Sequence, residues 1–217
     1  MKKSDTTQNH EHTASFMLAE YELLKEFRGS MLSQMESRTN FLFTSVSAIA
    51  TVLAIISQIT GFNQSFLIIA SILTFLLFLL GVITFLRLVE GHVSFTLYTR
   101  GINRIRRYFV DADSRIRNYV LLPITDNTPK FGVLGFSSAK ISKVGNVGMA
   151  IFINTIIFGS FLALFTSMLL STLAISHIFF IVLASVLVWF FQFRFYSSRT
   201  KRAEENNLSK FPTEDGG

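Results

Sequence analysis

Between Phe41 and Leu86 the chain contains no Asp, Glu, Lys, Arg or His. The stretch divides at Thr60 to Gln64 into two apolar runs of about 20 residues, each long enough as a helix to cross a hydrocarbon core ~30 Å thick. A buried helix of a water-soluble protein would be shorter and would carry one polar stripe. The pattern predicts a transmembrane helical hairpin. Val144 to Leu170 and Leu173 to Phe193 repeat it as a second hairpin, with Ser171, Thr172, Ser176 and His177 as the polar residues of the turn.

Composition agrees. Half of the 217 residues are apolar, 24 of them Phe, and the mean hydropathy is +0.45. The absence of Cys excludes disulfides and thiolate metal sites. Lys2 and Lys3 lie too far from the first apolar run to form a signal-peptide n-region.

The expected architecture is an all-α integral membrane protein of four transmembrane helices in two hairpins. Residues 1–40 form a cytoplasmic tail and amphipathic helix, 41–86 the first hairpin, and 87–143 a cytoplasmic helical extension and loop. Residues 144–195 form the second hairpin and 196–217 a cytoplasmic tail. Met1 to His12 reads as frayed. From Thr13 a stripe of Met17, Tyr21, Leu24, Met31 and Met35 predicts one helix running into Phe41 without a break. The second helix continues past Arg87 to about Val110, with a bend at Gly101. A short helix follows near Ser114 to Val120, then a loop holding Pro123 and Pro129.

The 20 Lys and Arg residues set the orientation. Five precede Phe41, ten lie between Arg87 and Lys143, and five follow from Arg194. Four spans put all three groups on one side. The positive-inside bias makes that side the cytoplasm, so both termini are cytoplasmic and the chain belongs in an inner (cytoplasmic) membrane.

Candidate residues divide into three groups. Thr155, Gly159, Ala163 and Ser167 recur every four residues as a small-residue ridge, read as helix packing rather than as a pore lining. Asn154 is read as a cross-helix hydrogen-bonding residue. Arg100, Arg104 and Arg107, with Arg106 beside them, form a basic face for lipid headgroups, for a phosphate-bearing ligand, or for ion pairs with the acidic N-terminal helix. The third reading comes first. Equal helix rise from Asn40 and Arg87 sets Glu26 level with Arg100, Glu22 with Arg104, Glu20 with Arg107 and Arg38 with Glu90.

Several chemistries find no support. No Ser-His-Asp, paired-carboxylate or metal pattern appears, so neither enzyme nor cofactor is expected. His10 and His12 read as a solvated tail, His177 as a wet interfacial residue, and Asp111 with Asp113 as an acidic cap. Nucleic acid would find no stacking platform beyond Tyr108 and Phe109. No span holds the acidic residue a proton relay or cation-coupled carrier uses.

Four phrases carry a resemblance: Glu20-Tyr-Glu-Leu-Leu-Lys-Glu-Phe, Arg38-Thr-Asn-Phe-Leu-Phe, Asn103-Arg-Ile-Arg-Arg-Tyr-Phe and Tyr119-Val-Leu-Leu-Pro. Over about half the chain the layout resembles uncharacterised bacterial four-helix membrane proteins grouped with the SLATT-type effectors of antiviral systems. The resemblance implies a membrane effector or sensor that forms homo-oligomers and perturbs the bilayer; no functional residue carries over. The expected function is an oligomeric membrane effector or sensor, channel-like or membrane-perturbing, controlled through its cytoplasmic helices. The alternative is a non-conducting scaffold that recruits a soluble cytoplasmic partner.

Overall fold

The structure is a computed structural model. It describes residues 2–131, 145–169 and 175–210, with side chains from residue 11 onward. Four long helices dominate: α1 (Lys2–Thr60), α2 (Gln64–Ala112), α3 (Asn146–Leu169) and α4 (Ile175–Asn206). A 3-10 helix spans Ser114–Tyr119, and no strand occurs among the described residues. Each long helix contains a stretch apolar enough to cross a membrane.

The helix limits follow local chemistry. α1 stops at Thr60 because Gly61 adopts φ 66°, a left-handed conformation that glycine enters at little steric cost. The Asn63 side chain then accepts from the Phe66 N–H at 2.8 Å, capping α2. Asp113 caps the 3-10 helix through the Arg115 N–H. At the other end α1 begins at Lys2, where fraying was expected. No Pro or Gly interrupts Lys2 to Arg28, so no residue there breaks the helix. α2 runs through Gly101 to Ala112. The predicted turn at Ser171 and Thr172, the segment 132–143 and the tail beyond 210 lie outside the described residues.

The chain forms two compact units. The larger, residues 35–90 with the described part of 132–199, holds the most apolar stretches. Leu42, Leu77, Leu88, Val147, Ala150 and Ile157 belong to its core. Phenylalanine pairs join α2 to α3: Phe78 to Phe158 at 4.9 Å and Phe75 to Phe161 at 5.3 Å between ring centroids. Coverage is uneven. One third of the most apolar stretch is buried in α2 and in α3, but only 6 % in α1 and in α4.

The smaller unit combines residues up to 34, 91–131 and 200–210 among those described. Here α1 and α2 run side by side. Tyr21 lies under Arg106, Leu24 faces Gly101, Phe27 meets Tyr98 at 5.6 Å, and Arg28 sits over Phe95. As one number rises the other falls, as antiparallel neighbours require. The α2 residues of this contact, Phe95, Tyr98 and Gly101, recur at three-residue spacing along one face.

Candidate functional site

A different face of α2 carries His92, Thr96, Arg100 and Asn103, spaced four, four and three apart. This is the spacing of one helix face, although the residues are polar. Thr96 satisfies its own hydroxyl on the His92 carbonyl at 3.0 Å. The other three side chains fasten the segment 125–131. His92 Nε2 donates to the Phe131 carbonyl at 2.9 Å, and Asn103 Nδ2 donates to the carbonyls of Thr125 and Thr128 at 3.1 and 2.8 Å. Arg100 Nε donates to the Pro129 carbonyl at 3.0 Å, next to a cis Thr128–Pro129 bond. Four loop carbonyls that a helix or sheet would otherwise satisfy are thereby bound by α2 side chains.

Arg100 is the centre of this arrangement. It is 2 % exposed, and its guanidinium lies 4.4 Å from the centroid of the buried Phe131 ring. Nη2 meets both carboxylate oxygens of Glu204 at 2.8 Å, and Nη1 donates to the Asn207 carbonyl at 3.3 Å. Glu204 also accepts from the Phe131 N–H at 3.3 Å. A buried guanidinium needs such a set of acceptors, because an unpaired charge in this position is costly.

Beside it Asp126, with no exposed surface, accepts from Arg104 Nε at 2.7 Å, from the Lys210 N–H at 2.8 Å and from the Ser209 hydroxyl. The end of α4 and the residues after it are therefore tied to α2 and its loop by a connected polar latch. Val93, Phe131 and Ala203 form the small apolar core beneath it.

The imidazole of His92 must donate through Nε2, since a carbonyl only accepts. Burial holds its pKa below the ordinary histidine value, opposed in part by the Phe131 bond.

These partners correct the expected charge register. Arg100 pairs with Glu204 rather than Glu26, Arg104 with Asp126 rather than Glu22, and Arg107 with Asp111 rather than Glu20. Glu22 meets Lys25 on its own helix at 3.3 Å, and Glu26 is exposed. Arg106 donates to Asn103 and stands 6.0 Å over Tyr21. The cause is azimuth: the α2 face turned to α1 presents Phe95, Tyr98 and Gly101, which leaves Arg100 and Arg104 for the loop and the tail. In the larger unit, Arg38 reaches the Arg87 carbonyl at 3.5 Å, while Glu90 pairs with Arg199 at 2.8 Å. That bond holds the Glu90 carboxyl below the usual range.

The larger unit holds a second polar feature. Asn154 on α3 donates to Gln192 Oε1 on α4 at 3.3 Å, and both residues are buried. Gly81 on α2 makes room for it: a Cβ there would sit 1.9 Å from Asn154 Oδ1. Of the small-residue ridge, Gly159 faces Ser185 on α4, whose Oγ would lie 2.9 Å from an added Cβ. Thr155 and Ser167 return their hydroxyls to the preceding turn at 2.8 Å. Ala163 accepts the Ser167 bond and is partly buried.

Sequence reasoning missed Gln192, Glu204, Asp126, His92 and Asn103. Gln192 was legible as the one amide in the last apolar run, a natural mate for Asn154. The stripe His92, Thr96, Arg100, Asn103 was legible as helical spacing. Nothing in the sequence marks Glu204 or Asp126 as its partners.

Among the described residues no group of three His, Asp or Glu is placed to hold a metal ion. The chemistry of the latch is that of a charge-locked clasp, with Arg100 held by Glu204 and Arg104 by Asp126. No protein-family model, no curated protein and no solved structure matches this chain.

Proposed function

We propose that the chain is a homo-oligomeric membrane effector or sensor of a bacterial inner membrane, controlled through its cytoplasmic helices. In this reading the four apolar stretches span the bilayer as two hairpins, both termini are cytoplasmic, and the protein acts without a cofactor and without catalysing a reaction. The observation that carries it is the 6 % burial of the apolar stretches of α1 and α4. So much uncovered apolar helix calls for lipid or further copies of the chain around it. The resemblance to SLATT-type antiviral effectors supports the same reading.

The latch supplies the control element. It ties the end of α4 to the loop after α2, and both helices also contribute to the apolar unit. A ligand that competes for Arg100 or Asp126 would release the tail. Any conducting path would form between copies, because Asn154 and Gln192 are buried against each other within one chain. Size-exclusion with light scattering in detergent tests this: a defined oligomer supports the reading, and a monomer removes the effector half of it.

One observation favours a scaffold that recruits a soluble partner. Tyr119 and Leu121 are 83 % and 96 % exposed, beside a half-exposed Leu122. Loss of a co-purifying partner on Leu121→Ser, with the oligomer intact, would favour the scaffold.

A further inference from the structure

We propose that a groove between α2 and α3 binds a flat, membrane-soluble carbonyl compound of the quinone type, its oxygen on the Ser71 hydroxyl. The proposal rests on the membrane placement above.

The groove has a volume of about 520 Å³, within the range of small-molecule sites. Ile72 and Phe75 of α2 and Phe161 and Phe165 of α3 line it. The rings form a run, Phe75 to Phe161 at 5.3 Å and Phe161 to Phe165 at 5.7 Å, the latter pair stacked. At one end Gln64 donates to the Met168 carbonyl at 3.2 Å and ties the two helices together.

Ser71 is the exception in this wall. It is 5 % exposed, and its Oγ has no hydrogen-bond partner among the described residues. Other hydroxyls of the apolar stretches return to their own helix: Thr51 to Ser47, Thr74 to Ala70, Ser185 to Ile181. A buried hydroxyl without a partner is unfavourable in apolar surroundings. An occupant carrying an acceptor would relieve it.

The chemistry of the occupant follows from three arguments. A plain hydrocarbon gains little on leaving lipid, because lipid tails are as apolar as the groove. Preference must come from ring stacking and from the Ser71 bond. Ser71 also lies two helical turns, ~10 Å, from Gln64 near the start of α2. An ester carbonyl tethered to a charged headgroup stays near the interface. The oxygen therefore belongs to a neutral molecule that dissolves in the hydrocarbon itself.

The test uses the full chain in lipid nanodiscs, titrated with decylubiquinone or with decylbenzene, which keeps a ring and chain but has no oxygen. Binding is read by native mass spectrometry. We expect the quinone to bind about 10-fold tighter, and Ser71→Ala to remove a factor of about 3 to 10 of that preference. Without ligand, Ser71→Ala should melt no lower than the parent; Ser71→Val serves if alanine loosens the helix. Equal binding of the two probes, no binding of either, or an unchanged preference in both variants overturns the proposal. A chain recovered from the soluble fraction overturns the membrane placement and this proposal with it. A membrane-integral chain without preference overturns this proposal alone.

Discussion

Arg100 and Glu204, 104 residues apart in the chain, meet through both carboxylate oxygens at 2.8 Å. Arg100 is buried while Glu204 is half exposed, so the pair is anchored on the helix and open on the tail. Removing the exposed partner strands the buried one. Glu204→Ala should lower stability by about 1–3 kcal/mol and raise hydrogen exchange in 125–131 and 200–210. Arg100→Lys should behave similarly, since an ammonium cannot reproduce the fork to Glu204 and Pro129. Unchanged exchange in both variants would contradict the latch.

His92 sets a pH dependence. Its folded pKa lies below its ordinary value of 6.5 because burial disfavours the charged form. The unfolded chain then binds more protons in the window between the two values. Stability is complete above the unfolded pKa and declines as pH falls through that window. His92→Gln, which keeps an N–H donor for the Phe131 carbonyl, should flatten the slope below about pH 6.5 in thermal melts. A slope that persists in the variant would assign the effect elsewhere.

Gly81 and Asn154 should be coupled. A Cβ at position 81 falls 1.9 Å from Asn154 Oδ1, so Gly81→Ala must displace the amide from Gln192. The cost should be about 1–3 kcal/mol. With Asn154→Ala in the background, the added cost of Gly81→Ala should shrink markedly. Additive effects in a double-mutant cycle would show that the helices part instead.

At Gly159 the size of the substituent decides. An added Cβ would lie 2.9 Å from Ser185 Oγ and 3.9 Å from Ser185 Cβ, so Gly159→Ala asks only the hydroxyl to turn from its bond to the Ile181 carbonyl and should be mild. Gly159→Leu should hold α3 and α4 apart and disrupt folding. A leucine variant that melts like the parent would place this face against lipid.

Much of the helical layout was legible because uncharged runs and turn residues leave few alternatives: α1 ends at Thr60 and the 3-10 helix begins at Ser114. The α1–α2 register was also within reach, since equal rise fixes heights; Leu24 against Gly101 lies close to the level estimated for Glu26 and Arg100. Height alone does not fix azimuth. Gly101 faces α1 while its neighbour Arg100 turns to the loop, and the charge pairs drawn from height went to the wrong partners. The latch was illegible for another reason. Most acceptors of Arg100, Asn103 and His92 are backbone carbonyls, which no side-chain pattern announces.

Membrane topology tests the central claim most directly. The chain has no cysteine, so single cysteines at Phe62 and at Leu121, both exposed, report on one site each. Intact spheroplasts are treated with a membrane-impermeant maleimide. The account predicts that Phe62→Cys is labelled at once and Leu121→Cys only after lysis. Labelling of Leu121→Cys in intact spheroplasts, or protection of Phe62→Cys until lysis, would contradict it.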